Sequence, residues 1–273
     1  MLIARGLEPG RPPESVTLSH PEVLEEIARL YADAGADIVV ASTFGGSPLR
    51  LAHYGLDGRT AEVNRIAVEA ARRGGGGRAY VAASCGPSGA LLEPHGDTSS
   101  EVVAASFREQ IEHLCGAGVD GLIVETMVDL TEAQLAVQAA KAISPGTPVL
   151  ATMTFDATPR GFHTVMGVSV EAAARGLQEA GADAVGSNCG NGSESMVEIA
   201  RAFRACTDLP LVIQPNAGLP EIRDGKTVYG ETPEFMAERA AQLIALGVTV
   251  IGGCCGTTPE HVGALRAAVD GSR

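Results

Sequence analysis

The chain has 273 residues, with 20 lysines and arginines against 33 aspartates and glutamates, a formal net charge of -13. That balance argues against nucleic acid or an anionic membrane as the main partner, since both are held by clustered basic residues. No apolar run reaches the roughly 20 residues of a spanning helix and no signal-peptide core opens the sequence, so a cytoplasmic protein with no membrane partner is expected. In that setting the six cysteines are expected to be buried, metal-bound or reactive rather than paired in disulfides.

The opening "MLIARGLEPGRPPES" offers no credible strand. A helix predicted over 20–34 closes in a small-residue turn and hands over to a β-branched strand within "YADAGADIVVAS" (31–42). The next helix, 59–73, leads through Gly74–Gly77, read as a flexible loop, into the strand "AYVAAS" (79–84). That glycine run follows a helix and precedes a strand, the wrong order for a phosphate-binding turn. Helix 100–116 runs into "LCGAGVDGLIVET" (114–126), and helix 131–143 into "PVLATM" (148–153). Helix 169–180 leads to "QEAGADAVGSNC" (178–189), helix 193–205 to "PLVIQ" (210–214), and helix 231–246 to "IALGVTVIGGCC" (244–255). A final helix is predicted over 259–269.

Each turn glycine suits a left-handed helix cap, and each Val/Ile run suits a strand buried on both faces. Strand–helix alternation with short connections implies a parallel sheet. Seven such units point to a (β/α)8 TIM-type barrel in a single domain over 1–273, its first strand missing or displaced at the N-terminus. An open doubly wound sheet is the alternative.

Barrel enzymes build their sites at the C-terminal ends of the strands. Those ends carry Ser42-Thr43-Phe44, Ser84-Cys85, Glu125-Thr126, Thr152-Met153-Thr154, Asn188-Cys189, Gln214-Pro215-Asn216 and Cys254-Cys255. Thr43 and Ser84 are candidate substrate-binding hydroxyls. Three thiolates at an open mouth suit zinc, because sulfur favours that ion and three protein ligands leave a fourth position for substrate. Taken alone, "CC" also fits a buried apolar pair or a redox-active pair. Cys115 and Cys206 read as core thiols near helix ends, and Cys85 as a small core residue. Glu125 ends the apolar strand "GLIVET", where a carboxylate is awkward unless it meets a cation; a charge at the start of the next helix is the other reading. Asn188 and Asn216 either bind a ligand or cap backbone groups. The histidines form no metal set.

These segments resemble the zinc-dependent homocysteine S-methyltransferase family, which includes the homocysteine module of cobalamin-dependent methionine synthase. The matching stretches are "HPEVLEEIARLYADAGADIVVASTF" (20–44), "SCGPSG" (84–89), "DGLIVET" (120–126), "GSNCG" (186–190), "QPNAGLP" (214–220) and "GGCCGTTPEHV" (252–262). They follow the family's order over nearly the whole chain, and their combination is far more specific than any one piece. The resemblance implies that Cys189, Cys254 and Cys255 ligate zinc, that Glu125 binds the substrate's amino group and that Ser84 lies beside its carboxylate. Asn216, in the family's "PNAG" stretch, would fill the open zinc position before a thiol arrives.

Family members begin with a strand ending in Asp-Gly whose Asp helps bind the amine, and this chain starts just downstream of it. Ser42 stands where the family carries Asn. The implied activity is methyl transfer to the thiolate of homocysteine or a related thiol, giving methionine. Its donor would be methylcobalamin or another methyl-corrinoid on a partner protein, or a small methyl donor, since the chain has no Asp-x-His-x-x-Gly corrinoid motif. Other readings are the zinc-barrel component of a corrinoid-linked demethylation system, a non-catalytic zinc- or thiol-binding protein, and a redox protein using Cys254 and Cys255.

Overall fold

The computed structural model describes residues 1–273 other than Ile3, Ala4, Glu8, Pro9, Asp224 and Arg273, and omits the side chain of Lys226. The described chain forms two compact units, Met1–Glu125 with Thr131–Val149, and Thr126–Leu130 with Leu150–Arg273.

In the first unit, helices α1 (Pro13–Ser19) and α2 (Pro21–Asp33) each start on a proline, whose fixed φ suits the first helical turn. Leu24, Ala28 and Ala32 recur at intervals of four and form the buried stripe of α2, the spacing that puts apolar residues on one helical face. That stripe packs on α4 (Thr60–Gly75), which buries Val63, Ala67, Val68, Ala70 and Ala71. Strands β1 (Ile38–Ala41), β2 (Tyr80–Cys85) and β3 (Gly121–Met127) are parallel neighbours in that order. The short α3 (Pro48–Ala52) follows β1, α5 (Ser100–Gly116) leads to β3, and α6 (Leu130–Ile143) follows it.

The second unit repeats the scheme with β4 (Val149–Met153), β7 (Ala184–Asn188), β8 (Leu211–Gln214) and β11 (Val248–Ile251), again parallel and in order. Helices α7 (Val170–Glu179), α8 (Ser193–Arg204), α9 (Pro233–Ala245) and α10 (Pro259–Gly271) alternate with them. Phe155 and Phe203 meet edge-to-face at 5.7 Å, both fully buried. Two antiparallel hairpins interrupt the alternation, β5 (Asp156–Thr158) with β6 (Gly161–His163), and β9 (Pro220–Arg223) with β10 (Lys226–Tyr229).

All seven predicted strands and all eight predicted helices are present, and the fold is of the (β/α)8 TIM type. Strand order runs forward within each unit, without the reversal that defines a doubly wound sheet. Among the described residues no strand precedes β1; part of the opening stretch where a first strand was sought lies outside them. The two hairpins, α1 and α3 have no counterpart among the predicted elements.

The glycine run needs correction. Gly74 and Gly75 are the last residues of α4, and only Gly76 and Gly77 adopt the left-handed conformation that ends it. At Gly74 a Cβ would meet the carbonyl oxygen of Glu25 and lie 2.7 Å from the Cβ of Ala28. The glycine therefore sets how closely α2 and α4 approach. Gly74→Ala is expected to destabilise the protein by about 1–3 kcal/mol through overpacking. Gly116→Ala, at a helical glycine with nothing within 4 Å of the new methyl, is expected to stabilise by about 0.4–1 kcal/mol. Denaturant midpoints of the two variants measure the contrast.

Candidate metal centre

In the second unit the three singled-out cysteines come together. Cys189 follows β7 in a left-handed conformation, φ 60°. Its N–H donates to the Gln214 carbonyl at 3.1 Å and its own carbonyl accepts from the Asn191 N–H at 2.8 Å. Cys254 and Cys255 follow β11. The Cys254 N–H donates to the Pro215 carbonyl at 2.7 Å, and the Thr257 hydroxyl donates to the Cys254 carbonyl at 2.8 Å. Gly256 closes the turn at φ 83°, and any Cβ there would run into the ring of Tyr229.

The three sulfur atoms lie within 4.8 Å of one another, with Cys189 Sγ and Cys255 Sγ 3.9 Å apart. A tetrahedral ion with Zn–S bonds near 2.3 Å would separate two thiolates by about 3.8 Å. The trio therefore fits a zinc-sized ion. Among the described residues no histidine or carboxylate joins it.

The sulfurs do not titrate alike. Hydrogen bonds from Cys189 and then Cys254 hold the Cys255 thiol well below the ordinary thiol range. Cys254 is pushed up by the same bonds, to Cys189 first and Cys255 second, and by its burial. Of the three thiols, Cys255 is thus the one whose ionised form its neighbours favour. Burial, followed by the charge of Cys255, pushes the neighbouring Tyr229 phenol up to about 12.

Asn188 braces this arrangement. Fully buried at the end of β7, its Oδ1 accepts from the Thr126 N–H at 2.7 Å and the Thr152 hydroxyl at 2.8 Å. Its Nδ2 donates to the Thr126 hydroxyl at 2.8 Å and towards Cys254 Sγ at 3.9 Å. Asn216 Oδ1 accepts from the Cys255 N–H at 3.1 Å. Both asparagines thus cap backbone groups. The Asn216 oxygen, expected at the open metal position, is engaged by the turn that carries Cys255.

In the first unit the Ser84 hydroxyl donates to Glu125 Oε1. Thr43 is fully buried; its hydroxyl donates to the Ser84 carbonyl at 2.8 Å and accepts from the Ser84 N–H at 2.9 Å. Thr43 therefore fixes the backbone that presents Ser84. Glu125 lies on β3, ahead of α6. The carboxylate in the first turn of α6 is Glu132, buried and accepting from the Ser88 N–H at 2.8 Å.

Cys85 is a core thiol, fully buried and pushed up by that burial and then by the Glu125 charge. Cys206 is not: it is exposed just past the end of α8, its thiol donating to the Ala202 carbonyl at 3.3 Å, and Cys115 is only half-buried. The sequence places Thr126 and Thr152 at strand ends and assigns them no role. Their link to Asn188 spans 62 and 36 positions, which no local pattern signals.

Asn188→Ala is expected to weaken metal binding about 10- to 100-fold, as loss of an outer-shell bond does, measured by chelator competition. In the metal-free protein, iodoacetamide at mildly acidic pH is expected to label Cys255 ahead of the other five cysteines. A lowered pKa keeps its thiolate populated as pH falls below ~8.5, where ordinary thiols are protonated. Peptide mass spectrometry reads the order of labelling.

The family model "Homocysteine S-methyltransferase" matches residues 5–269. Over 276 aligned residues, 97% of this chain, it is 34% identical to methionine synthase of Mycobacterium tuberculosis and 33% identical to that of Mycobacterium leprae. The chain spans only 23% and 22% of the length of those two relatives. Among solved structures, the metallated form of the homocysteine methyltransferase MmuM from Escherichia coli superposes with a TM-score of 0.80 at 26% identity, covering 97% of this chain and 92% of that one. Its apo form gives 0.76 at 25% identity, covering 98% and 91%. With the family model matched from residue 5 to residue 269, this chain belongs to the homocysteine S-methyltransferase family.

Proposed function

We propose that the chain is a zinc-dependent methyltransferase, acting as one homocysteine-binding module over 1–273 and moving a methyl group to the thiolate of homocysteine to give methionine. The observation that carries the reading is the sulfur trio, spaced for one tetrahedral ion beside strand ends. Cys189, Cys254 and Cys255 would hold the metal. When bound, zinc supplies a Lewis acid that keeps a coordinated thiol deprotonated at neutral pH.

The remaining roles fall to the chain's own residues. A thiol with a pKa near ~8.5 is mostly protonated at neutral pH and is a weak nucleophile. As its thiolate, homocysteine sulfur attacks the donor's methyl carbon; the new S–CH3 bond forms as the donor–methyl bond breaks. Glu125 would receive the substrate ammonium, and Ser84, whose hydroxyl donates to Glu125, would lie beside the substrate's carboxylate, with Thr43 holding Ser84 in place. Such positioning converts binding energy into alignment of the reacting atoms. Asn188 and Asn216 would keep the sulfur-bearing turns fixed.

The donor in this reading is a methyl-corrinoid such as methylcobalamin, presented by a partner protein, with a small methyl donor as the other source. The much longer methionine synthases among the relatives support a partner, since they extend far beyond the part this chain matches. Three cysteines that must stay reduced favour the cytoplasm. Among the described residues no helix is long and apolar enough to cross a membrane.

Protein purified under reducing conditions is expected to carry one zinc per chain and to form methionine from homocysteine with methylcobalamin or S-methylmethionine. Cys254→Ser is expected to lose both the metal and the product. A parent protein without zinc, or a variant that retains full turnover, would sink the reading.

A further inference from the structure

One buried amide of the first unit bonds groups that already have donors. Gln110, on α5, is fully buried. Its Nε2 donates to the Thr43 carbonyl at 2.8 Å and reaches the Ser84 carbonyl and Asn64 Oδ1, each at 3.4 Å. Three acceptors around one nitrogen fix which way the amide faces. Neither carbonyl depends on this donor: that of Thr43 also accepts from the Gly46 N–H at 2.9 Å, and that of Ser84 from the Thr43 hydroxyl at 2.8 Å. The other end of the amide, Oε1, is buried without a hydrogen-bond partner. An unpaired buried oxygen costs stability, and packing alone would be served by an apolar side chain of the same length.

What the amide fixes is geometry. Thr43 lies just past β1, and Ser84 lies at the end of β2, its parallel neighbour. Asn64, on α4, holds the same loop from the other side, its Nδ2 donating to the Gly46 and Thr60 carbonyls at 2.8 Å each. The fit leaves no space for a side chain: a Cβ on Gly46 would run into Asn64 Oδ1 and stand 2.9 Å from Gln110 Nε2. From Gln110 the bonds continue to Thr43, whose hydroxyl engages both the N–H and the carbonyl of Ser84, and from Ser84 to the Glu125 carboxylate.

We propose that Gln110 is a positioning residue for the amino-acid end of the substrate, holding Ser84 where its hydroxyl meets Glu125 and lies beside the substrate's carboxylate. It touches no substrate and acts through Thr43 and Ser84. The inference rests on the methyl-transfer reading and deepens it. Binding groups must be held to within about 0.5 Å by neighbours whose own positions are locked, and a buried amide tied to two strand ends does that for Ser84.

The test is calorimetric binding of L-homocysteine to zinc-loaded full-length protein in a double-mutant cycle of Gln110→Met and Ser84→Ala. Ser84→Ala is expected to weaken homocysteine about tenfold, as loss of a hydrogen bond to a charged group does. Gln110→Met, which keeps the length of glutamine without its amide, is expected to weaken it about three- to tenfold. Because one residue acts through the other, the double variant should bind within about twofold of Ser84→Ala alone, whereas losses at independent sites multiply. Melting temperature and zinc content of Gln110→Met should stay near the parent's. The substitution trades the unpaired oxygen of Gln110 for that of Asn64 and leaves both carbonyls a donor.

Losses that multiply, a Gln110→Met variant that binds homocysteine as the parent does, or an unaffected Ser84→Ala would each overturn the inference while homocysteine still binds the parent. A Gln110→Met variant that fails to fold would make Gln110 a structural residue and overturn it too. A zinc-loaded parent that binds no homocysteine overturns the methyl-transfer reading itself and the inference with it.

Discussion

The centre depends on one demand, that three sulfur atoms stay within 4.8 Å of one another on two separate turns. Sulfurs that are to become thiolates repel each other at that distance, and the repulsion grows as water is excluded. The chain meets this with hydrogen-bond donors and fixed backbone. Asn188 aims an N–H at Cys254, and Asn216 pins the Cys255 amide. The Cys254 N–H is tied to the Pro215 carbonyl, so the vicinal pair hangs from the end of β8 as well as from β11. A half-paired polar network would be worse than an apolar one; here every hydrogen-bonding position of the Asn188 amide has a partner.

The two strained residues sit against that same asparagine. Among the described residues, Thr126 and Cys189 are the non-glycine residues with left-handed backbone, both at φ 60°, a conformation that costs of order 1–3 kcal/mol for a residue with a side chain. Glycine would adopt it freely, but glycine has no sulfur for a metal and no hydroxyl for Asn188. Thr126 gives Asn188 both its N–H and its hydroxyl, and Cys189 is the next residue along the chain. The bonds that hold Thr126 in place thus offset strain that also aims the first ligand.

How much of this was legible in the sequence follows from burial. Strands such as β2, β7 and β8 bury nearly every residue, so Val/Ile runs after glycine turns reveal them. The strands β5 and β9 are exposed throughout and leave no apolar period to read, although the Asp-Gly pair between β9 and β10 is a recognised turn signal. Composition marked Asn188 and Asn216 as strand-end polar residues. It left open whether they face a ligand or the backbone, since that choice is made by Thr126, Thr152 and Cys255, far away along the chain. Cys206 misled because sequence places it after a helix, and only the packing around α8 decides that its sulfur is exposed. The glycine run misled in the opposite sense: what composition reads as looseness includes, at Gly74, a close approach of α4 to α2.

Rigidity around the thiols extends beyond the asparagines, through Glu231. Its carboxylate accepts from the Ser193 N–H and hydroxyl at the start of α8, at 3.0 and 2.5 Å, where the helix dipole favours a negative charge. Its backbone carbonyl accepts from His261 Nε2 at 3.0 Å, and the other nitrogen of that imidazole bonds the Thr258 cap of α10. Its own N–H donates to the Ala217 carbonyl at 2.9 Å, and the Ala217 N–H donates in turn to Cys255. Two helix starts, the foot of the β9–β10 hairpin and the cysteine turn are therefore joined through one residue, two positions after the Tyr229 ring that covers Gly256. A metal site is only as exact as the shell behind its ligands. Here the bonds behind the three sulfurs run largely through backbone amides and carbonyls, which have no side-chain rotamers to lose and would hold the candidate ligands in place for an ion.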